Sequence, residues 1–152
     1  MSALLEVRGL RKAYGERLVL DDVSLSVAAG DVVCLIGSSG SGKSTLLRCL
    51  DLLEPVDDGT IHLDGVEITD PEGDLRAGRR RMGMVFQAYN LFPHLTILEN
   101  CTLAPRRAHG VGRREARDRA LDLLGRFGLA EHVDKHPDRL SGGQQQRAAV
   151  VR

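Results

Sequence analysis

A glycine-rich loop between an apolar run and a leucine-rich segment constrains this chain more than any other feature. The loop consists of Gly37, Ser38, Ser39, Gly40, Ser41, Gly42, Lys43, Ser44 and Thr45. It follows the apolar run at residues 32–36 and precedes the leucine-rich segment at residues 46–53. A strand, a glycine loop and a helix in this order are the setting of a phosphate-binding loop. The sequence therefore predicts that residues 37–45 bind a polyphosphate.

The residue types of the loop suit this ligand. Glycines at positions 37, 40 and 42 let the backbone approach an anion closely, and the following helix offers free N–H groups at its positive end. We expect Lys43 to reach the β- and γ-phosphates and the Ser44 hydroxyl to ligate Mg²⁺. The alternative is a flexible Gly/Ser linker, which the flanking strand and helix patterns disfavour.

Composition limits the partners of the chain. Its 152 residues suffice for a sizeable core, and 21 Lys and Arg balance 21 Asp and Glu, so no broad basic surface for nucleic acid is expected. No run has the length of a membrane helix and no secretory leader pattern opens the chain, so we expect it to be neither spanning nor secreted. Cys34 and Cys49 lie in apolar segments and are expected to be buried, in a reducing compartment.

The first half of the chain carries strand patterns. Strands are predicted at residues 4–7 and 19–27, with a turn at 11–15, and the Asp64-Gly65 pair predicts a hairpin between 60–63 and 66–68. Further strands are predicted at 32–36 and 82–86, and a helix from about 42 to 53, before Pro55. Tyr14, in the predicted turn, is either a rim residue over the core edge or a stacking face for a planar base. Gln87, just past a strand, is either a surface residue or a site residue.

The second half is predicted to be helical. Helices are expected over residues 97–107 and 113–127, whereas residues 70–81 are expected to form a loop with at most a turn of helix. One face of the second helix carries an apolar stripe made of Ala116, Ala120, Leu123, Leu124 and Phe127. His132 and His136 have no third ligand nearby, so no metal site is expected there.

A third helix is predicted to begin at Ser141. Ser141 and Gln144 have the spacing of a capping box, in which each side chain bonds to the backbone of the other residue. Capping does not explain Gly142 and Gly143, each of which costs a helix up to about 1 kcal/mol relative to alanine. Glycines in a first turn are understandable if an anion approaches the helix end closely.

These motifs together resemble those of the nucleotide-binding subunit of an ABC transporter. Residues 37–45 resemble the Walker A motif, and residues 140–144 resemble the signature sequence. The resemblance implies an α/β fold, with a P-loop NTPase (ABC ATPase) core, an antiparallel β layer and a helical subdomain, divided into residues 1–89 and 90–152. It implies that Tyr14 stacks on the adenine of ATP, and that Gln87 contacts Mg²⁺ together with Ser44 and senses a permease.

The stretch 90–105 and the tail Gln145-Gln146-Arg147 are similar to the polar amino-acid importer branch of the family. The resemblance implies a head-to-tail homodimer, in which Ser141, Gly142, Gly143 and Gln144 of one chain close over the ATP on the loop of the other. It also implies permease subunits as partners and a peripheral place on the cytoplasmic face of the cell membrane. Two alternatives remain: a non-transport ABC ATPase, and a non-catalytic fragment that binds nucleotide or a partner.

The family's Walker B aspartate and catalytic glutamate follow the signature helix, and residues up to Arg152 do not include them. We therefore expect a core that is incomplete at the C-terminus, with no complete catalytic set in this chain. ATP should be bound without efficient hydrolysis, since a positioned general base contributes about 10²–10⁴-fold. Residues 32–36 are expected to form an unpaired apolar edge.

Overall fold

A computed structural model describes residues 3–152. These residues form two compact units, residues 3–83 and Met84–Arg152. The domain boundary expected after residue 89 stays a prediction. Nowhere in residues 3–152 is there a helix with the length and apolarity needed to cross a membrane.

The first unit is built on a four-stranded antiparallel sheet. Its strands are β1 (Leu5–Tyr14), β2 (Arg17–Val27), β3 (Asp58–Leu63) and β4 (Val66–Glu67), in the order β2-β1-β3-β4. The hairpin predicted from Asp64-Gly65 is confirmed between β3 and β4. Both turn residues have positive φ, 51° and 76°, as a type I′ turn requires.

Strand β1 is longer than its pattern indicates. Residues 11–14, predicted as part of a turn, belong to the strand, and the chain turns at Gly15 and Glu16 instead. The pairing with β2 runs from Leu5 opposite Val27 to Tyr14 opposite Arg17, with register shifts after Val7, Leu10 and Lys12. Such bulges interrupt the two-residue alternation of side chains, which is why the sequence pattern loses the strand.

Helix α1 (Lys43–Leu50) packs its buried face on the sheet. It ends three residues earlier than predicted because Leu52 adopts a positive φ of 55°. The Leu53 N–H donates to the Arg48 carbonyl at 2.8 Å and the Leu52 N–H to Cys49 at 3.0 Å, the hydrogen bonds of a Schellman motif. The buried core of this unit consists of Val7, Leu10, Leu20, Leu46, Cys49, Leu52, Ile61, Leu63 and Ile68.

A second, short helix completes the first unit. Helix α2 (Leu75–Arg80) lies in the segment predicted as a loop with at most a turn of helix. The Asp74 carboxylate accepts hydrogen bonds from the N–H groups of Arg76 and Ala77 and so caps the helix.

Two of the predicted strands are not formed. Residues 32–36 and 82–86 belong to no strand of the described chain, and all the strand pairs that are present are antiparallel. Val32 and Ile36 are 91% and 95% exposed. Cys34 is exposed as well, so its predicted burial is wrong, whereas the burial of Cys49 is confirmed. The reason is that a strand requires a neighbour, and within residues 3–83 no segment pairs with residues 32–36.

The second unit is helical, as predicted. Its helices are α3 (Ile97–Ala108), α4 (Arg113–Arg126) and α5 (Gly142–Val151), with short 3-10 helices at Ala130–His132 and Pro137–Arg139. Of the predicted apolar stripe on α4, Ala116, Ala120 and Leu124 are buried, and Leu123 and Phe127 are half-buried. The core of this unit consists of Ile97, Leu98, Cys101, Ala120, Leu124, Leu129, Leu140 and Ala148.

Candidate functional site

The glycine loop leaves the start of α1 open. Gly42 is the N-cap residue, with a φ of 88°, and no side chain caps the helix. Among residues 3–152, the N–H groups of Gly42, Lys43 and Ser44 find no acceptor. Free N–H groups at the positive end of a helix dipole are the elements that bind a phosphate group.

Lys43 folds back over this loop. Its Nζ donates to the carbonyl oxygens of Gly37 at 2.9 Å and Ser38 at 2.7 Å, and it lies 3.3 Å from the Ser41 hydroxyl oxygen. The carbonyl groups hold the ammonium at the loop, where a phosphate would offer it stronger, charged acceptors. Ser44, in the first turn of α1, is exposed and its hydroxyl oxygen is a ligand type that Mg²⁺ accepts.

Close packing against β2 fixes the position of the loop. A Cβ atom at Gly42 would lie 3.0 Å from the Val19 carbonyl oxygen and 3.1 Å from Cδ2 of Leu20. Glycine is thus required at position 42 both for its positive φ and for its contact with the strand. Gly40 also has a positive φ, 81°, but no heavy atom of residues 3–152, its chain neighbours aside, lies within 4 Å of the position that a Cβ atom would take there.

Tyr14 lies at the end of β1 on the same hairpin. It pairs with Arg17, which is two residues along β2 from Val19, a separation of about 7 Å along the strand. The side chain is 46% exposed, and Nζ of Lys12 lies over the ring, 5.4 Å from its centroid. The hairpin that supports Gly42 therefore also presents Tyr14 with much of its ring exposed.

Behind Tyr14 lies a charged cluster that sequence reasoning missed. Lys12 is 6% exposed; its Nζ donates to Oδ1 of Asp57 at 3.1 Å and lies 3.6 Å from Oε1 of Glu54. The hydrogen bond with Asp57 raises the pKa of Lys12. Lys12 and Tyr14 share a face because they lie two residues apart on β1, but the sequence predicts a turn at residues 11–15, so their spacing does not indicate this. Asp57 gives no signal in the sequence either, because its place depends on how β1 and β3 pair.

The second unit holds the signature motif at the start of α5. The capping box is confirmed: the Ser141 N–H donates to Oε1 of Gln144 at 2.8 Å, and the Gln144 N–H donates to Oγ of Ser141 at 3.4 Å. Nε2 of Gln144 also lies 2.8 Å from Nε2 of His132. The Gln144 side chain therefore already has partners within the second unit. At this end of α5, the residues whose backbone N–H groups are unpaired within residues 3–152 are the preceding Gly142 and Gly143.

Gly142 and Gly143 are exposed, and in the described part of the chain neither N–H group has an acceptor. The guanidinium of Arg147 lies beside Gly143, 3.9 Å from the position that a Cβ atom would take. Open N–H groups, a helix dipole and an arginine together make this end of α5 attractive to an anion. The contribution of Arg147 was not foreseen from the sequence.

Gln87 is an exposed residue at the start of the second unit. The loop that follows it includes two residues with positive φ, Tyr89 at 60° and Asn90 at 49°. The buried Asn100 side chain on α3 anchors this loop: Oδ1 accepts from the Phe92 N–H at 2.8 Å, and Nδ2 donates to the Thr96 carbonyl at 2.9 Å. The structure thus places the phosphate loop and Tyr14 in the first unit, and Gln87 and the signature residues in the second.

The glycine loop, the uncapped helix that follows it and the antiparallel sheet beneath that helix are consistent with a P-loop nucleotide-binding protein of the α/β class. The family model described as "ABC transporter" matches residues 20–152. The chain belongs to the ABC transporter family, and the predicted fold class is confirmed.

Curated relatives and solved structures agree with this assignment. The chain is 47% identical over 149 residues to the glutamine transport ATP-binding protein GlnQ of Escherichia coli K12, covering 98% of the chain and 62% of GlnQ. It is 48% identical over 149 residues to the glutamate/aspartate import ATP-binding protein GltL of the same strain, with the same coverage. A solved dimeric ATP-binding cassette, in a post-hydrolysis state with ADP and Pi, matches with a TM-score of 0.86 and 35% identity over 97% of the chain and 67% of that cassette. The chain thus spans 62% of the length of these two curated relatives.

Proposed function

We propose that this chain is the nucleotide-binding part of an ATP-binding subunit that powers an ABC importer for polar amino acids. The observation that carries the proposal is the uncapped start of α1, with Lys43 held over it by the Gly37 and Ser38 carbonyl groups. The substrate class is supported by relatives whose names specify glutamine, glutamate/aspartate and arginine transport.

In this proposal each part of the first unit has a task in holding Mg²⁺-ATP. The backbone N–H groups of residues 37–45 bind the phosphates, and Lys43 exchanges its carbonyl acceptors for phosphate oxygens. The Ser44 hydroxyl ligates Mg²⁺, and Thr45 follows it in the first turn of α1. Tyr14 stacks on the adenine with its exposed ring face.

The second unit contacts the nucleotide of another copy. The exposed Gly142 and Gly143 direct their N–H groups outwards, and Ser141 keeps its O–H hydrogen available because its oxygen acts only as an acceptor in the capping box. A second copy, placed head to tail, would supply the anion for this helix end, and ATP would join the two copies. Binding of ATP would bring the two copies together, and this movement would be transmitted to permease subunits at the cytoplasmic face of the membrane.

ATP binding by the phosphate loop is tested on the 152-residue chain by isothermal titration calorimetry with Mg²⁺-ATP. Lys43→Ala should weaken binding at least about tenfold, the effect of losing a hydrogen bond to a charged group. Lys135→Ala is the matched control, because Lys135 is an exposed lysine in the second unit, and it should bind ATP as the unchanged chain does. Equal affinity of the Lys43→Ala and Lys135→Ala variants would contradict the proposal.

Turnover is a separate property of the same polypeptide. Since the general base that the family resemblance implies is not among residues 1–152, we expect ATP to be bound with little Mg²⁺-dependent phosphate release. Rapid phosphate release that disappears in Lys43→Ala would show that another residue of this chain acts as the base.

A further inference from the structure

We propose that Lys12, held in place by Asp57, is a positioning residue that fixes the Tyr14 ring for stacking on a planar base. The inference rests on the proposed nucleotide-binding function and extends it to the recognition of the base. The Lys12 ammonium covers one face of the ring, and the exposed part of the side chain is left for the ligand.

Asp57 holds the whole end of β1, not the lysine alone. Its Oδ1 accepts from Lys12 at 3.1 Å and its Oδ2 accepts from the Ala13 N–H at 2.7 Å, while its own N–H donates to the Arg11 carbonyl at 3.0 Å. Three consecutive residues immediately before Tyr14 are thus bound to one aspartate. This fixes the backbone from which the aromatic side chain projects.

Stability alone does not explain a lysine at this position. Lys12 pairs with the buried Leu20 and is itself almost completely buried, whereas its partner Asp57 is 47% exposed. Removing an ammonium group from water costs free energy, so such an ion pair is often no more stabilising than an apolar residue of the same size. A cation over a tyrosine ring, by contrast, restrains the ring and draws on its π electrons. The hydrogen bond with Asp57 raises the Lys12 pKa, so the ammonium stays charged at neutral pH.

The same pairing connects this cluster to the phosphate loop. Leu20, opposite Lys12 in the sheet, is one of the residues against which Gly42 packs. The same stretch of the β1–β2 hairpin therefore positions both Tyr14 and the phosphate loop. A ligand that carries both a base and a polyphosphate would use both, whereas an inorganic polyphosphate would use only the loop.

The comparison of ATP with inorganic tripolyphosphate tests this inference on the complete 152-residue chain. Affinities are measured by calorimetry for the unchanged chain and for Lys12→Met, Asp57→Asn, Lys43→Ala and Lys135→Met. Methionine keeps the unbranched shape of Lys12, and the 47% exposed Asp57 side chain remains solvated without its partner. Lys12→Met and Asp57→Asn should weaken ATP binding about threefold to tenfold and leave tripolyphosphate within about twofold. Lys135→Met should change neither.

A spectroscopic measurement adds a direct view of the ring. The chain has two tyrosines and no tryptophan, so in a Tyr89→Phe background Tyr14 is the sole tyrosine that fluoresces. ATP should quench Tyr14 emission in this background, and Lys12→Met should reduce the quenching at saturating ATP. Tripolyphosphate should have no such effect in either protein.

The outcomes separate the two proposals. If Lys12→Met weakens ATP and tripolyphosphate equally, or weakens neither, Lys12 does not position the base and the inference is overturned, although nucleotide binding stands. If the unchanged chain binds neither ligand, or if Lys43→Ala leaves both affinities unchanged, the proposed function fails and the inference fails with it. Should Lys12→Met not fold, as judged by circular dichroism, Asp57→Asn decides by the same criteria.

Discussion

Replacing Gly142 with alanine should stabilise the second unit and, at the same time, weaken its contact with a nucleotide. No heavy atom lies within 4 Å of the position that a Cβ atom would take at Gly142, and at Gly143 the nearest is the Arg147 guanidinium at 3.9 Å. Neither glycine has a positive φ. Neither the backbone conformation nor the packing of the chain therefore requires glycine at positions 142 and 143.

The size of the effect follows from helix propensity. Glycine is about 1 kcal/mol less favourable than alanine in a helix interior. Gly142 is the first residue of α5, where fraying reduces the penalty, so we expect a gain of about 0.3–1 kcal/mol in the free energy of unfolding. For a unit of this size the gain corresponds to a rise in the melting temperature of about 1–8 °C.

Gly125 provides the matched control. It lies near the end of α4, and its side-chain direction is equally open. Gly125→Ala should stabilise the chain by a similar amount. It differs from Gly142 in that no proposed ligand approaches it.

Two measurements on each variant test the reasoning. Thermal unfolding followed by circular dichroism at 222 nm should show both alanine variants to be at least as stable as the unchanged chain. Sedimentation velocity should show ATP-dependent self-association weakened at least about tenfold in Gly142→Ala only, because a methyl group would displace a charge-assisted hydrogen bond. Destabilisation by Gly142→Ala would refute the claim that the fold does not require glycine at position 142. Equal self-association of the two variants would refute its role at the interface.

Three further predictions follow from other parts of the structure. Gly42→Ala should lower the free energy of unfolding by about 2–4 kcal/mol, and Gly40→Ala by only about 1–2 kcal/mol, because both have positive φ but only Gly42 packs against β2; urea unfolding of the two variants measures the difference. Iodoacetamide at pH 8 should label the exposed Cys34 and leave Cys101 unlabelled in the native chain, since burial raises the Cys101 pKa to about 12; mass spectrometry before and after denaturation checks this. The Ala13 N–H and Lys12 hold the pKa of Asp57 below its ordinary value of 3.8, so its contribution to stability should be present above pH 3.8 and be lost as the pH falls below it; Asp57→Asn should reduce this acid sensitivity in urea unfolding across pH 2–6.

Features that are complete within a few residues could be predicted from the sequence. The Asp64-Gly65 turn requires two positive φ angles, and the residue pair specifies them. The capping box of Ser141 and Gln144 likewise closes within four residues. The uncapped start of α1 also belongs here, because glycine at the N-cap position cannot supply a side-chain acceptor.

Features that depend on pairing could not be predicted. The bulges of β1 disturb its alternation, so the pattern of residues 11–14 predicts a turn where the structure has a strand. The hydrogen bonds of Asp57 with Lys12 and Ala13 form because Arg11 lies opposite Asp58 in the sheet. No local sequence pattern predicts that register. As a result the sequence indicated Tyr14 but not the residues that hold it.

Residues 32–36 show the same limit most clearly. Their apolar, β-branched run has the composition of a strand that is covered on both faces, yet Val32 and Ile36 are almost fully exposed. Parallel strands find their partners through crossover connections of a dozen residues or more, so the neighbours of this run come from distant parts of a sequence. A local apolar run can indicate a buried strand, but the strand forms only when a neighbouring segment pairs with it. The start of α1 is nevertheless held against the sheet, because Gly42 packs on β2 in a contact that does not require residues 32–36 to pair.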